Sequence, residues 1–371
     1  MSNLSTDEMR THITELLSRN RDYRQEVKDL TARYMYVVFY GCGAILNSIV
    51  ESWNEHVGIK IDYCCDSDSR KWGKFFCGAK CLSPNELVDI KGECAVFVTI
   101  GDFKPVYNFL RDSGFPSVNL LYKYDLVTSE YLTRHDREDV MANLLETYDL
   151  LGDGQSQKVF DAIVNRVLGD GNDIDIMLDV CDKNQYFPSS IIKLSEHESL
   201  VDSGAFNGDT IQDFVSRTHG KFDKIFSFEL DAINFKALQK NVAQMSERDR
   251  IKIFNFGIWD SECDISYSIG ESQSTVGVGE GKGHVVSLDD VLRDERITFI
   301  KMDIEGAEPQ ALCGARNIIQ TQRPKLAICV YHDFRHLWEI PLYIKSLVPE
   351  YKIYLRHHTN LEYETVCYAI A

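Results

Sequence analysis

The sequence predicts an α/β protein built from two successive strand–helix units, a smaller one over residues 34–124 and a larger one over 197–371. Three observations carry this. Short apolar runs that suit buried strands alternate with longer stretches of helical periodicity. In two places a strand ends in a glycine turn, a helix follows, and a second strand closes in an acid 25 positions after the glycine, from Gly41 to Asp66 and from Gly204 to Glu229. A chain of 371 residues also exceeds what one typical core holds.

Composition narrows the class of function. With 44% apolar and 26% charged residues the chain reads as a soluble globular protein. Asp and Glu number 57 against 40 Lys and Arg, a net charge of -17, which argues against nucleic acid and against a polybasic membrane anchor. No apolar run reaches the length of a membrane span, and the polar residues Met1 to Arg10 lack the apolar core of a signal peptide. The eleven cysteines are odd in number and form no CxxC pair, so they read as reduced thiols in a cytoplasmic protein. No metal site is expected: Cys77 and Cys81 have no partner pair, and the acidic stretch Asp170, Asp173, Asp175, Asp179, Asp182 lacks calcium-loop spacing.

Taken in order, residues 1–33 hold one helix from Thr6 to Ala32, with Met9, Ile13, Leu16 and Leu17 on its apolar face, suited to packing or an oligomer contact. The small unit follows, with strands over Met35–Tyr40, Ile59–Cys65 and Ala95–Thr99, a turn at Gly41-Cys42-Gly43, and a short helix opened by Ser83-Pro84-Asn85-Glu86. Residues 125–196 read as a helical bridge with helices over Asp136–Leu150 and Gln155–Leu168. The large unit then places strands at Leu200–Ser203, Lys224–Phe228, Ile251–Phe256, Ile297–Met302 and Lys325–Val330. A ribbon begins at Cys263, residues 271–283 form a glycine-rich loop and candidate lid, and the chain ends in an antiparallel hairpin, Tyr351–His357 with Thr365–Ala369, at the sheet edge.

The chemistry concentrates in two clusters. In Asp202-Ser203-Gly204-Ala205-Phe206-Asn207-Gly208-Asp209, Gly204 lets the backbone approach a ligand and the turn N–H groups offer donors, while Glu229 is placed to hold ribose hydroxyls. Asp209 would repel a pyrophosphate, so a cationic nucleoside such as S-adenosylmethionine suits the turn better than a dinucleotide. The second cluster, Asp303-Ile304-Glu305-Gly306-Ala307-Glu308, puts three carboxylates after a buried strand, at the carboxyl edge where open α/β sheets bind ligands. Glu308 there favours a helix N-terminus.

These stretches, together with Gly257-Ile258-Trp259-Asp260, Leu288-Asp289-Asp290 and the lead-in Tyr186-Phe187, resemble the FkbM family of methyltransferases over about Asn184 to Ala369. The resemblance implies a class I methyltransferase fold, Rossmann-like with a seven-stranded mixed sheet. It implies S-adenosyl-L-methionine as methyl donor and O-methylation of a hydroxyl on a sugar or other small-molecule acceptor. By position it implies Asp202, Gly204, Ala205, Gly208 and Thr210 on the methionine and ribose side. Glu229 with Leu230 would meet the ribose, Phe256, Gly257 and Ile258 the adenine, and Asp303 the methyl group. Leu230-Asp231 departs from the proline that many members carry after the acid.

A hydroxyl acceptor calls for a base. Asp303 leads the candidates by position. His332 follows because imidazole titrates near neutrality, with Glu305 and His357 behind. The small unit resembles Rossmann-like domains that precede sugar-modifying transferases, through Asp66-Ser67-Asp68, Lys74, Gly78 and Leu82 to Leu87. That makes Gly41, Gly43 and Asp66 a candidate nucleotide-sugar site. The alternative function is a nucleotide-sugar- or NAD-binding protein acting through this unit.

Overall fold

A computed structural model describes residues 4–19, 22–121, 126, 128, 131–132, 135–169, 176–267, 281–359, 361 and 363–371. The chain forms two compact units, one of Met1–Met9, Ala142–Ile163 and Ile176–Ala371, the other of Arg10–Met141 and Val164–Asp175.

The smaller unit holds strands β1 (Tyr36–Tyr40), β2 (Tyr63–Cys65), β3 (Phe75–Phe76), β4 (Ala79–Leu82), β5 (Cys94–Val98) and β6 (Val118–Leu120), in the order β3-β4-β2-β1-β5-β6. All pairings are parallel except β3 with β4. β1 and β5 are buried nearly throughout, which is why they read as unbroken apolar runs. Phe39, Trp53 and Phe97 meet edge-on in the core, with ring centroids 4.9 to 5.7 Å apart. The helix expected at Pro84 forms, and Ser83 and Glu86 close a capping box.

Three expectations here change. The single N-terminal helix is two, Thr6–Ser18 and Tyr23–Thr31, because Asp22 adopts an extended backbone and accepts the N–H groups of Arg24 and Gln25 as a new N-cap. Met35 is 68% exposed and precedes β1, and the second strand is confined to Tyr63–Cys65.

The larger unit carries β7 (Ser199–Ser203), β8 (Lys224–Phe228), β9 (Ile251–Phe254), β10 (Gly257–Ile258), β11 (Cys263–Tyr267), β12 (Gly281–Val286), β13 (Phe299–Met302), β14 (Lys325–Cys329), β15 (Lys352–His357) and β16 (Thr365–Ile370). Seven of them form one mixed sheet, ordered β15-β16-β14-β13-β7-β8-β9, as the resemblance implies. β10, β12 and β11 form a separate ribbon. β7 lies between β8 and β13, so the chain builds outward from it on both sides. This reversal opens a crevice at the carboxyl ends of the parallel strands. β16 runs antiparallel to β14, with Cys329 opposite Val366, so the residues just before β16 arrive at that same edge. Residues 281–283, expected as loop, begin β12, while residues 271–280 of the expected lid lie outside the described residues. Asp170, Asp173 and Asp175 of the acidic stretch lie outside them as well.

Helix Gly154–Leu168 is tied at its start to this sheet. Gly152 N donates to Ile353 O at 2.7 Å. Arg356, 4% exposed, donates to Asp153 Oδ2 at 2.6 Å and to Ser156 Oγ at 3.0 Å. Asp153→Ala removes the carboxylate facing a buried guanidinium and is expected to cost about 1.5–3 kcal/mol, a charged hydrogen bond's worth. Urea denaturation of the variant against wild type measures it.

Candidate functional site

The crevice is organised by a buried ion pair. Asp202 on β7 and Lys301 on β13 are register partners in neighbouring strands, so both side chains leave the same face of the sheet. Lys301 Nζ sits 3.1 Å from Asp202 Oδ1, with side chains 2% and 0% exposed. It also donates to Gly204 O at 2.7 Å and Ser203 O at 3.3 Å. Burial alone would depress the lysine, but Asp202 and Asp303 outweigh it and hold Lys301 protonated, its pKa raised. Asp202 Oδ2 is buried with no hydrogen-bond partner.

The turn after β7 does something other than expected. Gly204 sits at φ +78°, and an added Cβ would lie 1.8 Å from the Asp303 carbonyl oxygen. The missing side chain therefore makes room for the end of β13. The turn's N–H groups are also spent internally. Gly204 N and Ala205 N both donate to Phe228 O, Phe206 N to Glu229 Oε2 at 2.7 Å, Gly208 N to Ala205 O, and Thr210 N to Asp209 Oδ1. The expected array of donors for an anion is thus already occupied. What faces the crevice is acidic, which suits a cation.

Glu229, 8% exposed, ends β8 and accepts from Phe206 N and, through Oε1, from Asp231 N at 2.8 Å. Burial raises its pKa to about 7 against the opposing pull of these two N–H groups. Each carboxylate oxygen keeps a second lone pair for a hydroxyl donor. Asp231, in the pair that departs from the family pattern, caps helix Ala232–Val242 by accepting from Ile233 N and Asn234 N. Leu230 packs where side chains on Gly257 and Gly283 would stand, which seats the β10–β12 ribbon against the end of β8. Phe256 joins Phe228 and Phe254 in an aromatic group, with centroids 5.7 and 5.2 Å away, and Ile258 is buried.

Asp303 follows β13 directly. Tyr186 Oη donates to its Oδ2 at 2.7 Å and Tyr331 Oη to its Oδ1 at 2.9 Å. Burial works against its charge, but Lys301, His332 and the two hydroxyls hold its pKa below the ordinary carboxylate value. Tyr331 Oη also reaches Glu364 Oε1 at 3.4 Å, and Gln185 Nε2 donates to Glu364 Oε2. Burial and the nearby Asp303 charge raise Glu364 to about 7.

His332 does not fit the role of base. Its side chain is 1% exposed and caged by acids: Nδ1 is 2.9 Å from Glu308 Oε1, and Nε2 is 3.4 Å from Asp303 Oδ1 and 3.5 Å from Glu305 Oε2. Burial would lower its pKa, but Glu308, Glu305 and Asp303 raise it to about 10, so at neutral pH it is an imidazolium with no lone pair to offer. Glu308 is accordingly more than a helix-start acid. It is fully buried, accepts from Ile304 N and holds His332 in place. Asp303, Glu308 and His332 have metal-like spacing, as do Asp303, Cys329 and Glu364. His357 is buried beside Thr365 Oγ1 at 2.8 Å and depressed to about 4 by burial, a packed strand residue.

Lys301, Tyr331, Gln185 and Glu364 were given no role from sequence. A lysine inside the apolar run Ile297–Met302 is a readable sign of a buried ion pair. Glu364 carries no such sign. Four of the non-glycine residues with left-handed backbone, Tyr186, Phe206, Glu305 and Glu364, gather at this edge, where strain commonly marks function.

In the smaller unit Asp66 repeats the local pattern of Glu229, with Cys42 N donating to Asp66 Oδ2 at 2.8 Å. Here Lys71 Nζ also donates to Oδ2 at 2.8 Å, and Asp68 N to Oδ1. The carboxylate meant for a ribose is neutralised from within. Gly41, at φ +118°, makes room for Thr99 O, 2.7 Å from an added Cβ, and Gly43 leads into helix Ala44–His56.

Comparison with known proteins agrees with this geometry. Residues 202–360 match the model of the Methyltransferase FkbM domain. A structure of methyltransferase FkbM from Methylobacillus flagellatus KT superposes with a TM-score of 0.77 at 23% identity, over 98% of this chain and 100% of that one, which establishes the shared fold. An rRNA methylase from Streptococcus thermophilus (TM-score 0.32, 13% identity, 53% and 93% covered) and an S-adenosylmethionine-dependent methyltransferase from Aquifex aeolicus (0.29, 11%, 47% and 84%) are too distant to bear on the argument. No curated protein matches the chain.

The histidine cage makes a linkage prediction. His332 is raised above the ordinary imidazole value of 6.5, so its contribution to stability is complete below that pH and is lost as pH rises through about 10. The stability gap between wild type and His332→Gln, from urea midpoints, is expected to narrow between these values. A gap constant with pH would refute the charged cage.

Proposed function

We infer that the chain, which carries an FkbM-type methyltransferase domain over residues 202–360, is an S-adenosylmethionine-dependent methyltransferase acting on a hydroxyl of a sugar or other small molecule. The observation that carries the cofactor is the acidic crevice edge. Asp202 Oδ2 is buried without a partner, Glu229 keeps lone pairs, and the turn's anion-seeking N–H groups are already engaged. That donor set rejects a pyrophosphate and fits a ligand bearing a sulfonium and an ammonium.

In this reading Asp202, Gly204, Ala205, Gly208 and Thr210 shape the methionine and ribose side. Glu229 and Leu230 meet the ribose, Phe256, Gly257 and Ile258 the adenine, and Asp303 stands near the methyl. The bound cofactor supplies an electrophilic methyl group. The protein's part is alignment, a dry edge and a place for the acceptor's proton. The alternative through the smaller unit is not favoured, because Asp66 is paired with Lys71. Among the described residues no helix is long and apolar enough to cross a membrane.

Calorimetric titration of S-adenosylmethionine into wild type and Glu229→Gln tests the reading. Loss of a charged acceptor should weaken binding by about 1.5–3 kcal/mol, tenfold or more. Because Glu229 titrates near pH 7, wild-type affinity should rise as pH increases through that value, and the variant should not follow it. Absence of binding by wild type would sink the proposal.

A further inference from the structure

The sequence offers Asp303 as the base. At the crevice edge, however, Asp303 is the least suited carboxylate to accept a proton. Each of its oxygens already accepts a tyrosine hydroxyl, and the charges of Lys301 and His332 stand close by. A carboxylate so stabilised as an anion has little proton affinity. It is suited to staying charged beside a cationic ligand.

Glu364 differs in how its oxygens are held. It precedes β16, whose antiparallel course delivers it to the edge where β13 and β14 end. Its backbone is held at φ +68°, and His358 N donates to its carbonyl, so the side chain is aimed by a strained, fastened turn. Gln185 holds one carboxylate oxygen, and Tyr331 touches the other only at 3.4 Å while donating at 2.9 Å to Asp303. Like Asp303, the residue is only partly buried.

We propose that Glu364, not Asp303, is the general base, taking the proton of the acceptor hydroxyl while Asp303 remains a fixed anion beside it. The proposal rests on the methyltransferase reading above. In the step, the acceptor oxygen forms its bond to the methyl carbon, the carbon–sulfur bond breaks with its electron pair passing to sulfur, and the hydroxyl proton moves to Glu364 Oε1. That proton is later lost to water. The groups facing Glu364 are Asp303, Tyr331, Tyr186, Cys329, His332, Lys301 and Gln185. Burial and the Asp303 charge raise Glu364 to about 7, where a base works well at neutral pH.

Carbon-13 NMR of the full chain, labelled at Asp and Glu carboxyls, decides it. Two glutamates should titrate near pH 7, one signal vanishing in Glu364→Gln and the other in Glu229→Gln. The signal lost in Asp303→Asn should titrate below the ordinary aspartate value. Calorimetry of S-adenosylmethionine should give Glu364→Gln a wild-type affinity within about twofold. Tritiated methyl transfer to a pool of simple glycosides and nucleotide-hexoses should then fall about a hundredfold or more. An ordinary midpoint for Glu364, a near-neutral midpoint for Asp303, or unchanged transfer in the variant overturns the proposal. So does a tenfold loss of cofactor affinity, which would move Glu364 into the cofactor site. Failure of wild type to bind cofactor defeats the underlying reading instead and is seen separately.

Discussion

The ion pair between Asp202 and Lys301 is the constraint on which the crevice depends. Two opposite charges lie in adjacent strands with almost no exposure, at the point where the sheet's direction of growth reverses. Removing either partner from such a pair costs about 3–5 kcal/mol, because the other is left charged and dry. Lys301 does more than neutralise. Its ammonium collects the carbonyls of Ser203 and Gly204, so the ends of β7 and β13 are drawn to one point. The Gly204 turn can close only because no Cβ intrudes on Asp303 O. From that junction Asp303 leaves in a defined direction, and the two tyrosines and His332 are arranged around it.

A single sheet edge thus sorts its carboxylates by environment. Asp303 and Glu308 have cations and donors close by and stay ionised. Glu229, buried, and Glu364, partly buried, have weaker support and approach neutrality. The same chemical group serves as fixed counter-charge in one position and as a titrating group in another, and desolvation against local charge decides which. His332 obeys the same rule with opposite sign, since three acids turn a residue that would normally titrate near neutrality into a cation up to about pH 10.

The two units illustrate how little separates a binding edge from a closed one. Both place a positive-φ glycine after the first strand and let a following N–H grip the acid that ends the second strand. In the smaller unit one further residue, Lys71, reaches that acid and satisfies its charge. In the larger unit the Glu229 carboxylate is held, among the described residues, by the backbone N–H groups of Phe206 and Asp231.

The sequence by itself determined the strands, the glycine turns and the acids at strand ends. These depend on local apolar periodicity and on residues whose backbone or charge has few other uses, as with Gly204, Glu229 and Asp303. It also determined the seven-stranded sheet through the family resemblance, and the final hairpin. Tertiary structure decided what those residues are for. The break at Asp22, the spent N–H groups of the Gly204 turn and the caging of His332 all depend on partners remote in sequence or on backbone geometry. Glu364 lies 61 positions from Asp303 and reaches the site only because β16 runs antiparallel. Proton affinity is set by burial and by charges a few ångströms away, and neither is a property of a residue's neighbours along the chain.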